Sequence, residues 1–321
     1  MRMRQILNGR VAVSLLAMAI GTSVALAQDT NGQDRPGIQN DDQNQSKISA
    51  HARNPIETAP TKGGTGSLSP IINHGGGVMV TPTVYLIWYG NWNQSNNSDT
   101  PAGQQLVRDF VYGLNNSAYF QINTTYSGPS GTVLFGAETT DTGSQGTSLS
   151  DNKIRTIVSN AITSGKLPLN VNGVYFVLTS SNIAKSGFCT QYCGWHTYTT
   201  ISGTAVKYSF VGNANRCLSS CAAQTVGPNG NAGVDGMLSV LAHELEESTT
   251  DPKLNAWYDA SGAENADKCA WTFGQTLTQN SSGAYYNMTL PTTSGSRNYL
   301  IQRNLAATDN KCYINWVTKA Q

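Results

Sequence analysis

Charged side chains are scarce in this 321-residue protein. Lysine, arginine, aspartate and glutamate make up 12% of the chain, and its net charge is +1. A charge this small gives no electrostatic basis for binding nucleic acid or an acidic membrane surface. Glutamate occurs six times and histidine four times in the whole chain. We therefore look for chemistry where these few ionisable groups cluster.

Long apolar runs are also rare. The run at residues 11–20 is short for a transmembrane helix, and none after it is long enough to span a bilayer. Three arginines precede it, and it leads to Ala-Leu-Ala at residues 25–27, which is the pattern of a secretory signal peptide. We expect residues 1–27 to be that signal, with an N-terminal membrane helix as the alternative. The mature chain is then secreted, to the extracellular space or the periplasm, without a membrane partner.

The next segment has few apolar residues. Residues 28–71 are rich in Asn, Gln, Asp, Gly and Ser, so they bury too little surface to offset the entropy of ordering. We predict a disordered leader here. A short pro-segment that covers an active site is the alternative. The remaining residues, 72–321, are numerous enough to form a single domain around one core.

Periodicity within this domain predicts a mixture of strands and helices. Helices are expected at 101–115, from a cap at Ser150 or Asp151 through residue 162, and from a cap at Asp235 to Pro252. Strands are expected from residue 84, at 133–135, 174–178 and 208–211, and near 284–290 and 298–302. Their order favours an α/β (α+β) fold, with a mixed sheet, flanking helices and a loop-rich C-terminal segment clipped by a disulfide. It is compatible by analogy with a zincin-like layout.

Cysteine usage agrees with export. The six cysteines are Cys189, Cys193, Cys217, Cys221, Cys269 and Cys312. In an oxidising compartment they predict three disulfides, and fifteen pairings are conceivable. The simplest is two local C-x₃-C bridges and a long Cys269–Cys312 bridge. One alternative is a zinc site of four thiolates, which suits a cytosolic protein better. The other is a redox-active pair, which is more typical of a C-x-x-C spacing.

Acidic residues crowd into one helix of this acid-poor chain. Seven of the nineteen acids fall between Glu244 and Asp267, and three of the six glutamates lie in the sequence His243-Glu244-Leu245-Glu246-Glu247. Negative charge near the C-terminal end of a helix opposes the helix macrodipole. A bound cation would relieve this conflict. An ordinary solvated acidic face, with a hydrogen-bonded histidine, is the alternative.

The spacing of these residues suits zinc. His243 and Glu247 stand at i and i+4 on one helix face, as the two metal ligands do in the H-E-x-x-H zinc hydrolases. Zinc accepts imidazole nitrogen and carboxylate oxygen, whereas calcium prefers six to eight oxygens. Further ligands are expected downstream, and the candidates are Glu264, Asp267 and Asp251. Glu244 takes the position of the general base, so the pattern predicts a zinc hydrolase, most plausibly a peptidase.

Other residues give weaker signals. His196, after the first cysteine pair, is a further candidate ligand, although a structural role beside a disulfide is the commoner use. Trp88, Tyr89, Trp92 and Trp195 are suited to a sugar-stacking platform, but core packing is the more frequent role for such residues. The sequence contains neither a G-x-S-x-G elbow nor a phosphate-binding loop.

Four segments together resemble the phosphate-induced protein family, also called EXORDIUM-like. They are residues 85–90, 173–180, 187–196 and 234–237. The resemblance covers residues 72–315, and both C-x₃-C pairs fall where the family has them. It implies an extracellular protein, since the plant members are associated with cell-wall growth and hormone response. Plant members carry a neutral segment at 243–247, so the H-E-x-x-E form here resembles a metal-capable, microbial-type member.

Two functions follow as expectations. The first is a secreted zinc-dependent hydrolase acting on extracellular peptides, with His243 and Glu247 as ligands, Glu264 or Asp267 as the third, and Glu244 as the base. The second is a non-enzymatic extracellular protein that binds a cell-wall or matrix polymer through exposed aromatic side chains.

Overall fold

The computed structural model describes residues 69–317 and, for the backbone alone, residues 46–49. The expected signal peptide at residues 1–27 lies outside the described residues, as does most of the segment 28–71. Within that segment, which we expected to be disordered, residues 46–49 form a β-strand. None of the helices in the described part of the chain has the length and hydropathy needed to cross a membrane.

The described part of the chain contains many strands and a smaller number of helices. The strands, in chain order, are β1 (Ser46–Ser49), β2 (Ile72–Asn73), β3 (Thr83–Tyr89), β4 (Leu134–Asp141), β5 (Ser148–Leu149), β6 (Gly173–Thr179), β7 (Ala184–Lys185), β8 (Tyr192–Ile201), β9 (Thr204–Gly212), β10 (Trp257–Tyr258), β11 (Thr278–Gln279), β12 (Tyr285–Tyr286), β13 (Met288–Thr292), β14 (Gly295–Tyr299), β15 (Asn304–Ala306) and β16 (Lys311–Tyr313). The helices are α1 (Pro101–Leu114), α2 (Asp151–Thr163), α3 (Leu218–Cys221) and α4 (Ala232–Thr250), with 3₁₀ turns at Phe120–Thr125, Ala214–Arg216 and Asp267–Cys269.

A six-stranded mixed sheet organises the domain. Its strand order is β1-β8-β9-β6-β3-β4. The pairs β9/β6, β6/β3 and β3/β4 are parallel, whereas β1/β8 and β8/β9 are antiparallel. The central strand β6 is buried along its whole length, as expected for an apolar strand covered on both faces. The predicted mixed α+β architecture is therefore confirmed.

Helices cover both faces of this sheet. Neighbouring residues of β3 point to opposite faces, and they meet different helices. Trp88 lies under the guanidinium of Arg108 on α1, at 5.6 Å from the ring centroid, while Ile87 shares a groove with Ile157 on α2. Helix α4 packs against β8 and β9 and also contacts α1. Helices α1 and α4 therefore cover one face of the sheet, and α2 covers the opposite face.

Helix boundaries follow the capping residues. Ser150 caps α2, as predicted, through the Lys153 backbone N–H. The predicted cap of α4 at Asp235 is wrong, because the helix begins four residues earlier and the Asn231 side chain accepts the Val234 N–H at 3.1 Å. The Asp235 carboxylate instead accepts hydrogen bonds from Asn229. The helix ends at residue 250, two residues before the proline.

The six cysteines form three disulfides, and the long Cys269–Cys312 bridge is the predicted one. The prediction of two local C-x₃-C bridges is wrong. Cys189 pairs with Cys217 and Cys193 with Cys221, at Cα–Cα distances of 5.8 and 5.4 Å. Both pairs span 28 residues, because the hairpin β8–β9 brings the start of β8 back beside α3. The bridges therefore join two elements rather than closing two small turns.

The aromatic residues considered for a sugar platform belong to the core. Trp88, Tyr89, Trp92 and Trp195 are at most 5% exposed, and Trp88 packs edge-on against Trp92 with ring centroids 4.9 Å apart. None of these four rings presents a face to solvent on which a sugar could stack. Packing the core is the role that the structure gives them.

Candidate metal centre

The acidic end of α4 is completely buried. His243, Glu244, Glu246 and Glu247 are each 0% exposed, in a helix buried on all sides. Taking a carboxylate out of water costs several kcal/mol unless hydrogen bonds or a counter-charge compensate. The solvated acidic face, which was the alternative to a cation site, is therefore absent here. The question becomes which groups compensate these buried carboxylates.

The first group of facing side chains lies around His243. Its Nε2 atom is 2.9 Å from Glu247 Oε1 and 3.5 Å from Asp267 Oδ1. One ligand atom from each of the three residues lies within 4.8 Å of those of the others. Ligands that sit about 2.0–2.1 Å from zinc in a tetrahedral arrangement are about 3.3 Å apart. The observed separations lie on either side of that value.

The second group joins the sheet to the same glutamate. His196 on β8 has its Nε2 atom 3.5 Å from Glu247 Oε2 and 3.1 Å from Glu264 Oε2. His196, Glu244 and Glu247 also place one ligand atom each within 4.8 Å of one another. Glu247 therefore stands at the centre of the cluster, with one carboxylate oxygen facing each histidine.

Glu244 points into this cluster without a hydrogen-bond partner. Both of its carboxylate oxygens are buried and unpartnered among the described atoms. Glycine at position 194 of β8 is what allows so close an approach. A Cβ atom there would lie 2.6 Å from Val240 Cγ1 and 3.0 Å from Glu244 Oε1. Gly194 and His196 share a strand face by the two-residue repeat, so β8 supplies both the space and an imidazole.

The loop after α4 supplies the other carboxylates. The Asp267 backbone N–H donates to Glu247 Oε1 at 3.2 Å, and the Glu264 N–H donates to Asp267 Oδ2 at 3.1 Å. The Asn265 side chain donates to the Glu246 carbonyl at 3.3 Å, which docks the loop on the helix. The disulfide at Cys269 ties the far end of this loop to β16.

Electrostatics show that the cluster is short of positive charge in the metal-free protein. Burial, and then the neighbouring Asp267, raise the pKa of Glu247 to about 7, and burial raises the pKa of Glu244 well above its usual range. Burial alone would lower the pKa of His243. The facing carboxylates of Glu247 and Asp267 outweigh it and hold that pKa well above the ordinary value. A divalent cation is the kind of counter-charge that would let these carboxyls ionise.

Two acids of this region lie apart from the cluster: the candidate ligand Asp251 and its neighbour Glu246. Asp251 is the C-terminal cap residue of α4, and its Oδ1 accepts the backbone N–H groups of Asn255 and Ala256 at 2.5 and 2.6 Å. Glu246 faces another side of the helix, where its Oε2 accepts from the Asn304 side chain at 2.6 Å. The cluster thus brings together His243, Glu244, Glu247, Glu264, Asp267 and His196, and it does not include Asp251.

Sequence reasoning gave His196 a minor place and missed Gly194. Both lie in β8, a strand that the pattern search did not predict. The signal was present in Cys193-Gly194-Trp195-His196, where the small residue and the imidazole are two positions apart. Because cysteines flank this segment, a structural role beside a disulfide was the expected role for His196.

Fold and site together define a disulfide-bonded α+β protein with a buried histidine–carboxylate cluster. Residues 71–315 match the family model described as the phosphate-induced protein 1 conserved region. That match covers more than half of the chain, and the chain belongs to this family.

Several plant proteins are similar to this chain. The chain is 32% identical to Protein EXORDIUM-like 3 of Arabidopsis thaliana over 284 residues, which cover 74% of this chain and 81% of that protein. It is 28% identical to Protein EXORDIUM-like 5 of the same plant over 285 residues, covering 74% and 76%. It is 27% identical to Protein PHOSPHATE-INDUCED 1 of Nicotiana tabacum over 251 residues, covering 64% and 76%. No solved structure matches the chain.

Proposed function

We propose that this protein is a secreted zinc-dependent hydrolase that cleaves peptide bonds. The observation that carries the proposal is the buried cluster on α4, where His243, Glu247 and Asp267 bring one ligand atom each within 4.8 Å. Zinc binds nitrogen and oxygen ligands of this kind, and catalytic zinc sites use three protein ligands with one position left for water. Three disulfides are typical of proteins that mature in an oxidising compartment, which supports secretion.

The side chains of the cluster divide the work in this proposal between holding the metal and moving a proton. His243, Glu247 and Asp267 hold the metal, and Glu264 orients His196 through the 3.1 Å contact with its Nε2. A bound zinc supplies an acidified water and polarises the carbonyl of the substrate. Glu244, buried and unpartnered, accepts the proton of that water. The water oxygen bonds to the carbonyl carbon, the C–N bond breaks, and the proton passes to the leaving amine.

The competing idea of a polymer-binding protein finds less support in the described part of the chain. It depended on exposed aromatic rings, and the four candidates, led by Trp88 and Trp195, are buried. Among described aromatic residues, Tyr112, Phe135 and Tyr198 are exposed, at 53%, 40% and 36%. They lie on three different elements, α1, β4 and β8, and no observation groups them into a platform.

The hydrolase proposal is tested with three isosteric variants of α4. The full chain is stripped with a chelator, reloaded with zinc and incubated with a defined mixture of synthetic decapeptides, whose products are read by mass spectrometry. Cleavage should appear only with metal present. Glu247→Gln should lose both zinc and cleavage, whereas Glu244→Gln should keep zinc and lose cleavage by a factor of about 10² or more.

Glu246→Gln is the matched control. This residue is equally buried on the same helix, but it faces Asn304 and not the cluster. It should retain both zinc and cleavage. The proposal is wrong if Glu244→Gln cleaves as fast as the parent chain. It is also wrong if the zinc-loaded parent cleaves no peptide either before or after limited proteolysis of residues 28–68.

A further inference from the structure

The main sheet pairs one strand from the N-terminal segment with β8, the strand that carries His196. β1 pairs antiparallel with β8, and the Cα partners are Ser46 with His196, Lys47 with Trp195 and Ile48 with Gly194. Directly opposed residues of antiparallel strands are about 5 Å apart between Cα atoms. β1 also approaches α4. The backbone of residue 46 therefore runs beside the backbone of His196, whose imidazole contacts Glu247.

Without β1, β8 would be the outer strand of the sheet. Its other side is fully used, because β9 pairs with β8 from residue 194 to residue 201. An outer strand exposes a row of backbone N–H and C=O groups, which can pair with any extended chain. Peptides often bind proteins by adding a strand to such an edge, with backbone hydrogen bonds supplying affinity.

The cluster is almost completely shielded from solvent. His196, His243, Glu244 and Glu247 are 0% exposed, and Asp267 alone reaches solvent, with 23% of its side chain accessible. Two described grooves, of about 530 and 660 Å³, lie elsewhere: one between β4 and α2, the other beside the start of α1. Neither is lined by a residue of the cluster. The edge of β8 carries His196, and among the described residues β1 is the strand that pairs along this edge.

We propose that the outer edge of β8 is the substrate-binding edge of this protein, taking an extended peptide as an antiparallel strand, and that β1 occupies this edge in the uncut chain. The inference rests on the proposed hydrolase function and names the place where its peptide substrate binds. Only four residues of β1 pair with the sheet, which is a weak contact on its own. It is favoured because the strand is tethered to the domain through residues 50–68, which makes pairing intramolecular. Cutting that tether converts the covering strand into a dissociable ligand.

The test removes the backbone donors of β1 in the full chain. Proline has no N–H, so the double variant Lys47→Pro/Ile48→Pro removes whichever of two adjacent N–H groups faces β8. Lys47→Ala/Ile48→Ala is the matched control, since it loses both side chains but keeps both donors. Hydrogen–deuterium exchange of residues 192–196, read by mass spectrometry, should rise at least tenfold in the proline variant and stay near the parent value in the alanine control.

Peptide cleavage and peptide binding complete the test. The zinc-loaded proline variant should cleave the decapeptide mixture at least tenfold faster than parent and alanine control. A synthetic peptide of residues 42–52, added in excess, should restore slow exchange at residues 192–196 and suppress cleavage. Normal zinc content with fast exchange but unchanged cleavage would overturn the inference while leaving the hydrolase intact. Absence of zinc and of cleavage in every variant would instead refute the proposed hydrolase function. In that case the exchange measurement still tests the inference, because failure of the peptide to restore slow exchange would show that the edge of β8 is not a peptide-binding site.

Discussion

The buried carboxyl of Glu247 makes the stability of the metal-free protein depend on pH in an unusual direction. Its pKa of about 7 in the folded protein lies above its ordinary value of 4.5. Between these two pH values the folded protein keeps a proton that the unfolded chain has released. The number of bound protons is then larger in the folded state, so the free energy of unfolding falls as pH rises. Most carboxylates, whose pKa values are lowered by folding, give the opposite slope.

The expected magnitude follows from the same numbers. One unit of pKa difference corresponds to about 1.4 kcal/mol, so this carboxyl alone accounts for a loss of about 3 kcal/mol between pH 4.5 and pH 7. Glu244 and Glu246, whose pKa values burial also raises, extend the loss to higher pH. Zinc should reverse it, since an ion bound only by the folded state at a hundred times its dissociation constant adds about 2.7 kcal/mol.

Urea unfolding followed by tryptophan fluorescence, with disulfides intact and a chelator present, measures this dependence from pH 5 to pH 8. Glu247→Gln, which has no proton to retain, should show a fall smaller by about 3 kcal/mol. Glu138→Gln is the control: it removes a carboxyl outside the cluster, one that pairs with Arg108 at 2.8 Å, and should keep the parent's fall. The electrostatic account is wrong if metal-free parent is equally stable at both ends of this range, or if Glu247→Gln behaves as the parent does.

Two further variants probe the framework around the cluster. Gly194→Ala should lower the free energy of unfolding by about 1–3 kcal/mol by overpacking, and it should weaken zinc binding in a titration. Gly77→Ala is the control, because a Cβ atom there meets nothing within 4 Å, and it should change neither quantity. Equal effects of the two variants would contradict the packing argument. Replacing Cys269 and Cys312 with serine opens a bridge that spans 43 residues and should cost about 4 kcal/mol in urea unfolding. The same variant should weaken zinc binding, because it frees the loop that carries Asp267, and unchanged zinc affinity would show that the bridge does not position that ligand.

Local patterns predicted the elements whose apolar residues form a clear pattern in the sequence. Residues 101–115 and 174–178 became α1 and β6 within two residues of their predicted limits, because the first carries apolar residues at helical spacing and the second is a short continuous apolar run. β8 escaped prediction because its buried face contains glycine and histidine rather than apolar residues. The strand predicted near 298–302 ends at Tyr299, where the chain leaves its pairing with β13.

Long-range features were beyond reach for a different reason. The pairing Cys189–Cys217 depends on where a hairpin returns the chain, and nothing in the spacing of the cysteines states that return. The register of β1 on β8 is likewise a tertiary property. By contrast, the i and i+4 relation of His243 and Glu247 is fixed within one helix, so this half of the cluster was readable from sequence. The contact of His196 with this cluster depends on how the sheet packs against α4, which the sequence does not state.

Metal content tests the central claim most directly. After zinc is loaded and excess is removed by dialysis, inductively coupled plasma mass spectrometry should find one zinc per chain in the parent and in Glu246→Gln. Glu247→Gln should retain less than a tenth of that amount. A parent chain without stoichiometric zinc, or a Glu247→Gln variant that keeps its full zinc content, would contradict the account.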